Sequence, residues 1–201
     1  ASTHHALRVG ATITVGSCAL PSIIRRFEER HPTVTTQVWV DNTQVIEGMI
    51  LESRLDLALV EGEVTSPDLI VRPVLEDELV LICGPCHPFA GRQSVALSEL
   101  SGQDFILREP GSGTRERFET LLDQAGISVR QKWVCHSSDS ILAAVAQGQG
   151  LSVVSRQLAE QSAKELHTLP VEDVKLHRTF NLIYHKNKFL SEPLRAFLGE
   201  L

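Results

Sequence analysis

The apolar positions of the 201-residue chain change period several times, and the changes mark its elements. Residues 7–11 (LRVGA) read as a strand, followed by a hydroxyl-rich turn at 12–16 (TITVG). From about Ser17 the period becomes helical, with Leu20, Ile23, Ile24 and Phe27 on one face. Pro21 falls in the first turn or so, where backbone N–H groups have no intrahelical partner to lose. His31-Pro32 stops that helix. Residues 34–40 (VTTQVWV) alternate and are β-branched, as a strand requires. Asp41-Asn42-Thr43 caps a second predicted helix to about Arg54, with Val45, Ile46, Met49 and Ile50 on one face. Strands are predicted at 55–60 (LDLALV), 69–74 and 79–83. The polar stretch 1–6 (ASTHHA) reads as a frayed end.

The same order returns after Gly84-Pro85. A strand at 105–107 (FIL) enters a polar loop containing Gly111-Ser112-Gly113. Thr114 can cap a helix in which Phe118, Leu121, Leu122 and Ala125 fall at i, i+3, i+4 and i+7, with Gly126 closing it. A strand at 131–135 leads through His136-Ser137-Ser138 to a helix at 139–147, ended by Gly148. A strand at 151–154, a helix at 157–164, a strand at 178–184 and a terminal helix at 192–201 complete the pattern.

Strands alternating with helices predict an α/β fold with mainly parallel sheets flanked by helices. The repeated order predicts two lobes, residues 1–84 plus 186–201 and residues 85–185, with crossovers near 84–88 and 184–187. In open α/β sheets the ligand crevice lies beyond the carboxyl ends of the strands. The turn at 12–17 and the loop at 111–114 are therefore expected to face each other across a cleft between the lobes. Each feeds a strand into a helix start, where free N–H donors and the helix dipole attract anions. One such loop alone is usually just a turn; a second copy of the device shifts the reading toward a ligand site.

Composition narrows the function. Apolar residues make up 42% and charged residues 22% of the chain, enough for a packed core. The net charge is −6 and no Lys/Arg cluster occurs, so this chain by itself is a poor DNA binder. The longest apolar run is the six residues 141–146, which predicts neither a membrane-spanning helix nor a signal-peptide core. Four cysteines do not suggest a disulfide framework, and a cytoplasmic setting is expected.

Five segments carry a family resemblance: LRVGATITVGSCALPSIIRRFEERHP, LDLALVEG, LVLICGPCHPFA, ILREPGSGTRERFE and SSDSILAAVAQGQGLSVVSR. In this order and spacing, over residues 7–201, the chain resembles the effector-binding domain of LysR-type transcriptional regulators. The resemblance implies two lobes of the type II periplasmic-binding-protein kind, a small-molecule effector between them, and dimers or tetramers. It also implies an amino-terminal winged helix-turn-helix, so that DNA is contacted only through a module these residues do not contain. The family's effector site carries over onto Thr12, Thr14 and Ser17, onto Val60 and Glu61, onto Ser112, Gly113 and Thr114, and onto Ser137 and Ser138. Hydroxyls and helix-start amides suit carboxylate, sulfate or phosphate. Val15 is apolar where some members of the family carry a polar side chain. Arg115 brings the right charge to the region, with a solvated surface role as the equal alternative. No catalysis and no cofactor are expected.

Other motifs point elsewhere. Cys83-Gly84-Pro85-Cys86-His87 matches both the redox pair of thioredoxins and a c-type haem attachment. Redox chemistry wants the first cysteine at a helix start, whereas Cys83 is expected to end a strand. A thiol-redox or haem protein through Cys83 and Cys86 is thus the weaker alternative, as is a dehydratase. A solute-binding protein of a transport system is the stronger one, because it shares the two-lobe architecture. Cys18 and Cys135 read as small buried hydrophobes. The eight histidines form no HExxH, and no structural metal is expected. No G-x-S-x-G elbow occurs among the serines. Residues 34–40 are a possible edge strand, which either a partner subunit or a loop of the same chain would cover.

Overall fold

Strand β1 (His5–Thr12) runs straight into helix α1 (Ile13–Cys18), and helix α2 (Leu20–Arg30) follows after a break at Ala19. The computed structural model describes residues 5–201. In it the expected turn at 12–16 is the N-cap and first turn of a helix, and the single predicted helix is two. Pro21 explains the break. Its ring would meet the carbonyl of Ser17 four residues back, and it has no N–H to donate. The chain therefore swings at Ala19 (φ −125°, ψ −47°) and restarts with Pro21 in the first turn of α2. Of the expected frayed end, residues 1–4 lie outside the described residues, and Ala6 already belongs to β1.

Strand β2 (Val34–Asp41) pairs in parallel with β1. Asn42 caps α3 (Thr43–Leu51), its side chain accepting from the Val45 amide at 3.0 Å. The helix stops before Arg54 because Ser53 takes the left-handed conformation, φ 58°. Strand β3 (Leu57–Glu61) pairs in parallel with β1 on its other side. Strand β4 (Leu69–Cys83) is one continuous strand of 15 residues where two were expected. The charged run Glu76-Asp77-Glu78 does not interrupt it, and two of its members find partners. Asp77 is buried against Arg178 and Ser155, and Glu78 pairs with Arg156.

Next come β5 (Val95–Ala96), a 3-10 turn (Leu97–Leu100), β6 (Asp104–Arg108), α4 (Gly113–Ala125), β7 (Arg130–Cys135) and α5 (Ser138–Ala146). They are followed by β8 (Ser152–Ser155), α6 (Arg156–Gln161), β9 (His167–Leu169), β10 (Val171–Glu172), β11 (His177–His185) and α7 (Glu192–Gly199). Strands β5, β9 and β10 are too short to leave a periodic signal. Parallel pairing joins β1 to β2 and β3, β6 to β7, and β5 to β10. Pairing is antiparallel where β11 meets β3 and where β4 takes β8 on one side and β9 on the other.

Two compact units result. One is the chain up to Leu75 together with Thr179–Leu201, and the other is Glu76–Arg178. The chain passes from one to the other within β4 and within β11, earlier in each case than the loops near 84–88 and 184–187. In the first unit, alternate residues serve two cores. Leu7, Val9, Leu57, Leu59 and Leu182 pack with Phe27 of α2 and Phe197 of α7, whose rings meet edge to face at 5.0 Å. Ala58, Val60 and Ile183 pack with Ile46, Met49 and Ile50 of α3. The second unit repeats the scheme. Leu79, Leu81, Phe105 and Phe118 form one cluster, and Val80, Ile82, Ile106, Ile141 and Val145 form another. Each such side chain contributes about 1.5–3 kcal/mol when fully buried.

Candidate functional site

In the first unit the parallel register sets Ala11 opposite Leu59, so β1 and β3 end side by side on Thr12 and on Val60-Glu61. Thr12 is the N-cap of α1, but its side chain makes no capping bond. Its hydroxyl donates instead to the Glu61 carboxylate at 2.9 Å, and the same oxygen accepts from the Glu61 amide at 3.2 Å. Thr43, at the start of α3, donates to the Glu61 carbonyl at 2.7 Å. Thr12, Glu61 and Thr43 are all buried. Thr14 is buried inside α1, whereas Ser17 is exposed on it. Val60 packs its side chain into the α3 core, leaving its backbone to face the strand end. Val15 is fully buried in the opposite core, which accounts for its apolar character. A six-residue α1 has only a short dipole, so hydroxyls rather than the helix end set the polar character here.

The second unit uses the same arrangement at β6 and β7. Arg108 lies opposite Cys135 in parallel register, and the Glu109 amide donates to the Cys135 carbonyl at 3.1 Å. The loops that follow therefore leave the sheet next to one another. Glu109-Pro110-Gly111-Ser112 is a type II turn. The Ser112 amide donates to the Glu109 carbonyl at 3.2 Å, proline holds the second position, and Gly111 takes φ 94° at the third. Ser112, not Thr114, is the N-cap of α4, its hydroxyl accepting from the Arg115 amide at 3.3 Å. Gly113 and Thr114 are thus the first two helical residues, and with Ser112 they are buried. Ser137 caps α5, accepting from the Ser140 amide at 3.4 Å, and is exposed; Ser138 is half-buried.

Two buried ion pairs lie under these loops. Arg108 grips Glu109 with Nε and Nη2 at 2.6 and 3.2 Å. Arg178 donates from Nε to Asp77 at 2.7 Å and from Nη1 to the Thr114 hydroxyl at 2.8 Å. Arg115 turns away from the site. It binds Glu119 at 2.6 Å, the Arg108 carbonyl at 2.8 Å and Gln131 at 2.8 Å, and so ties α4 to β6 and β7. Thr43, Asp77 and Arg178 were missed in the sequence. The only sign of them was a charged residue beside an apolar strand, or a threonine after a cap, and both occur widely on protein surfaces.

The family profile described as "LysR substrate binding domain" matches residues 1–201. The chain belongs to the LysR substrate-binding domain family. It is 36% identical over 195 residues to the HTH-type transcriptional regulator YeiE of Escherichia coli K12, an alignment that covers 96% of this chain. The same alignment spans 66% of that relative, just under two thirds of its length. The regulatory domain of Synechocystis PCC6803 CcmR, solved in complex with 2-PG, superimposes with a TM-score of 0.90 at 27% identity, covering 97% of this chain and 94% of that one. The effector-binding domain of QuiR, solved with shikimate, superimposes at 0.89 and 22% identity, covering 98% and 95%. The LysR domain is of the type II periplasmic-binding-protein kind, with mixed α/β units linked by crossover strands.

Within this LysR domain the Cys83–Cys86 motif is a strand end and a turn. Cys83 is the last residue of β4 and buried, and burial pushes its thiol up from the ordinary range. Cys86 is exposed. Burial draws His87 down, against a hydrogen bond with Gln103, and its Nδ1 accepts from the Phe89 amide at 3.0 Å. A strand-end thiol raised by burial lacks the helix-start or cationic neighbour that activates redox cysteines. Cys135 is also raised, first by burial and then by the charge of Glu109, with Arg108 opposing. Among the described residues no group of three or more His, Cys, Asp and Glu is placed to hold a metal, and no helix is long and apolar enough to cross a membrane.

Proposed function

We propose that this LysR domain is the effector-sensing part of a cytoplasmic transcription factor, taking a small anionic metabolite and making or breaking no bond. Thr12, Thr14, Ser17, Val60 and Glu61 of one unit act with Ser112, Gly113, Thr114, Ser137 and Ser138 of the other. The observation that supports this is the repeated strand-end geometry: in each unit two parallel strands stop side by side, on Thr12 and on Val60-Glu61 in one and just ahead of the Ser112 and Ser137 caps in the other. The molecules bound to the related domains, 2-phosphoglycolate and shikimate, are small anions of the kind such turns suit. The effector can shift the protein only by its differential affinity for two conformations. DNA is contacted through an amino-terminal winged helix-turn-helix of the whole regulator.

Thermal shift against carboxylates, phosphates, sulfate and reduced sulfur compounds tests the reading. A ligand at about a hundred times its dissociation constant adds roughly 2.7 kcal/mol. Ser112→Ala and Thr114→Val lose that gain while remaining folded. Full stabilisation in both variants, or none by any anion in the unaltered domain, sinks the assignment.

Self-association belongs to the same proposal. Among the described residues strand β2 ends its sheet and exposes Val38, Trp39 and Val40, and β7, paired with β6, exposes Trp133 and Val134. Edges of this kind call for a cover, and a second copy supplies it. Sedimentation of Trp39→Lys is expected to show dissociation; an unchanged oligomer would place the interface elsewhere.

A further inference from the structure

We infer that Arg108 contacts the effector, the end of its guanidinium taking the effector's anionic oxygens. This rests on the reading of the Ser112 and Ser137 turns as part of the effector site, and it adds a cation that reading did not contain. Arg108 is the last residue of β6. Along that strand Phe105 and Leu107 pack with Phe118 and Leu122 of α4, and Ile106 packs with Ile141 and Val145 of α5. Alternation turns Arg108 to the α5 side, where Cys135, its register partner at the end of β7, also packs. The charge of Arg108 reaches the Cys135 thiol and opposes the rise that burial causes there. The chain beyond Arg108 caps α4 through Ser112, and the chain beyond Cys135 caps α5 through Ser137. The guanidinium therefore lies at the root of both capping turns.

Only one of its two forks is spent. Nε and Nη2 form the side fork, and both donate to the Glu109 carboxylate, at 2.6 and 3.2 Å. The end fork, made by Nη1 and the second N–H of Nη2, has no acceptor among the described residues. The side chain is only 4% exposed, yet Nη1 is not sealed from solvent. Buried donors are nearly always satisfied, so half a guanidinium left over beside two helix starts calls for an acceptor from outside the chain.

Glu109 aims that fork. A guanidinium is planar and rigid, so fixing its side on a carboxylate that is itself 3% exposed fixes the direction of its end. The backbone of Glu109 is held as well, its amide on the Cys135 carbonyl and its carbonyl on the Ser112 amide. Two parallel N–H groups match two oxygens on one atom, the geometry of a carboxylate, a phosphate or a sulfur oxyanion. The pair with Glu109 leaves little net charge, so the fork selects by shape as much as by charge. Arg115, the neighbouring cation, is spent on Glu119, Gln131 and the Arg108 carbonyl.

Calorimetry with 2-phosphoglycolate, shikimate, phosphate and sulfate tests this, following the tightest of them. Arg108→Gln is expected to weaken binding about tenfold or more, the equivalent of one charge-assisted hydrogen bond. Arg108→Lys, a point charge without a fork, loses nearly as much. Glu109→Gln keeps the guanidinium and removes a negative neighbour, so it binds at least as tightly as the unaltered domain. A purely structural pair would behave otherwise, because breaking it from either side would weaken binding alike. Arg108→Gln combined with Glu109→Gln leaves no unpaired buried charge; it serves if Arg108→Gln does not fold, and is expected to show the same loss. Equal losses in Arg108→Gln and Glu109→Gln, or unaltered affinity in the double variant while Ser112→Ala weakens binding, overturn the role of Arg108 alone. No binding by the unaltered domain, or unaltered affinity in Ser112→Ala and Arg108→Gln alike, overturns the effector site and this role together.

Discussion

Thr12 and Glu61 exchange two hydrogen bonds: the hydroxyl of one donates to the carboxylate of the other and accepts from its amide. Both residues are buried, so these two bonds replace part of the hydration the groups have lost. Thr12→Val keeps the shape and removes the donor. It is expected to destabilise the protein by about 1 kcal/mol or more, the net worth of buried hydrogen bonds removed, and to lower Tm by several degrees in the absence of any ligand. Thr12→Ser retains both bonds and stays close to the wild type. Melting curves of the two variants without anion decide it; equal curves would mean that the Thr12–Glu61 bonds contribute nothing to the fold.

Asp56 predicts how stability follows pH. Burial pushes its carboxyl up, but Lys188, at 2.5 Å, and the backbone and side chain of Arg8 outweigh this and hold it below the ordinary value of 3.8. A group whose folded pKa is depressed contributes in full above its unfolded pKa and loses that contribution as pH falls through the folded one. Asp56→Asn is therefore expected to be least stable relative to wild type near neutral pH. The gap closes as pH falls below about 4, the unfolded carboxylate range. Urea unfolding between neutral and acid pH would show the two converging; a constant gap would mean that packing, not charge, is what Asp56 provides.

The elements with long, regular apolar spacing were legible in the sequence. Phe118, Leu122 and Gly126 announced α4, and the left-handed Gly126 closes it at φ 67°. What was not legible depended on partners far along the chain. Strands were expected at 69–74 and 79–83, and the residues between them are strand as well, with Asp77 held by Arg178 and Ser155 and Glu78 by Arg156. The hydroxyl positions of the candidate site were visible as residues, but their commitments were not. Thr12 is engaged by Glu61, Ser112 by the cap of α4 and Thr114 by Arg178. A side chain that reaches across 64 residues, as Arg178 does to Thr114, leaves no local pattern.

The four thiols should react in an order set by exposure and pKa. Cys86 is exposed, Cys18 is half-buried, and Cys83 and Cys135 are buried with thiols pushed up by burial. Only the thiolate reacts, so burial slows alkylation both by access and by charge. Iodoacetamide at mild alkaline pH is expected to label Cys86 first and to leave Cys83 and Cys135 unlabelled until the protein unfolds. Mass spectrometry of tryptic fragments reads this directly. Rapid joint labelling of Cys83 and Cys86 would revive the dithiol reading.

Gly84 is the residue of the Cys83–Cys86 turn that the fold needs. A Cβ there would lie 2.5 Å from the Val145 carbonyl oxygen and 3.1 Å from that of Ala146. These are backbone atoms at the end of α5, and no side-chain rotation can relieve the contact. Gly84→Ala must displace either the end of β4 or the whole helix, and overpacking of this kind costs about 1–3 kcal/mol. For a chain of this size that lowers Tm by roughly 2–4 °C per kcal/mol. Ser137 and Ser138 sit at the other end of α5, so its displacement also weakens stabilisation by anions. Cys86→Ser, at an exposed position two residues on, should change neither property. A Gly84→Ala variant that melts with the wild type would show that α5 can withdraw from β4 at no cost, and the turn would then need another explanation.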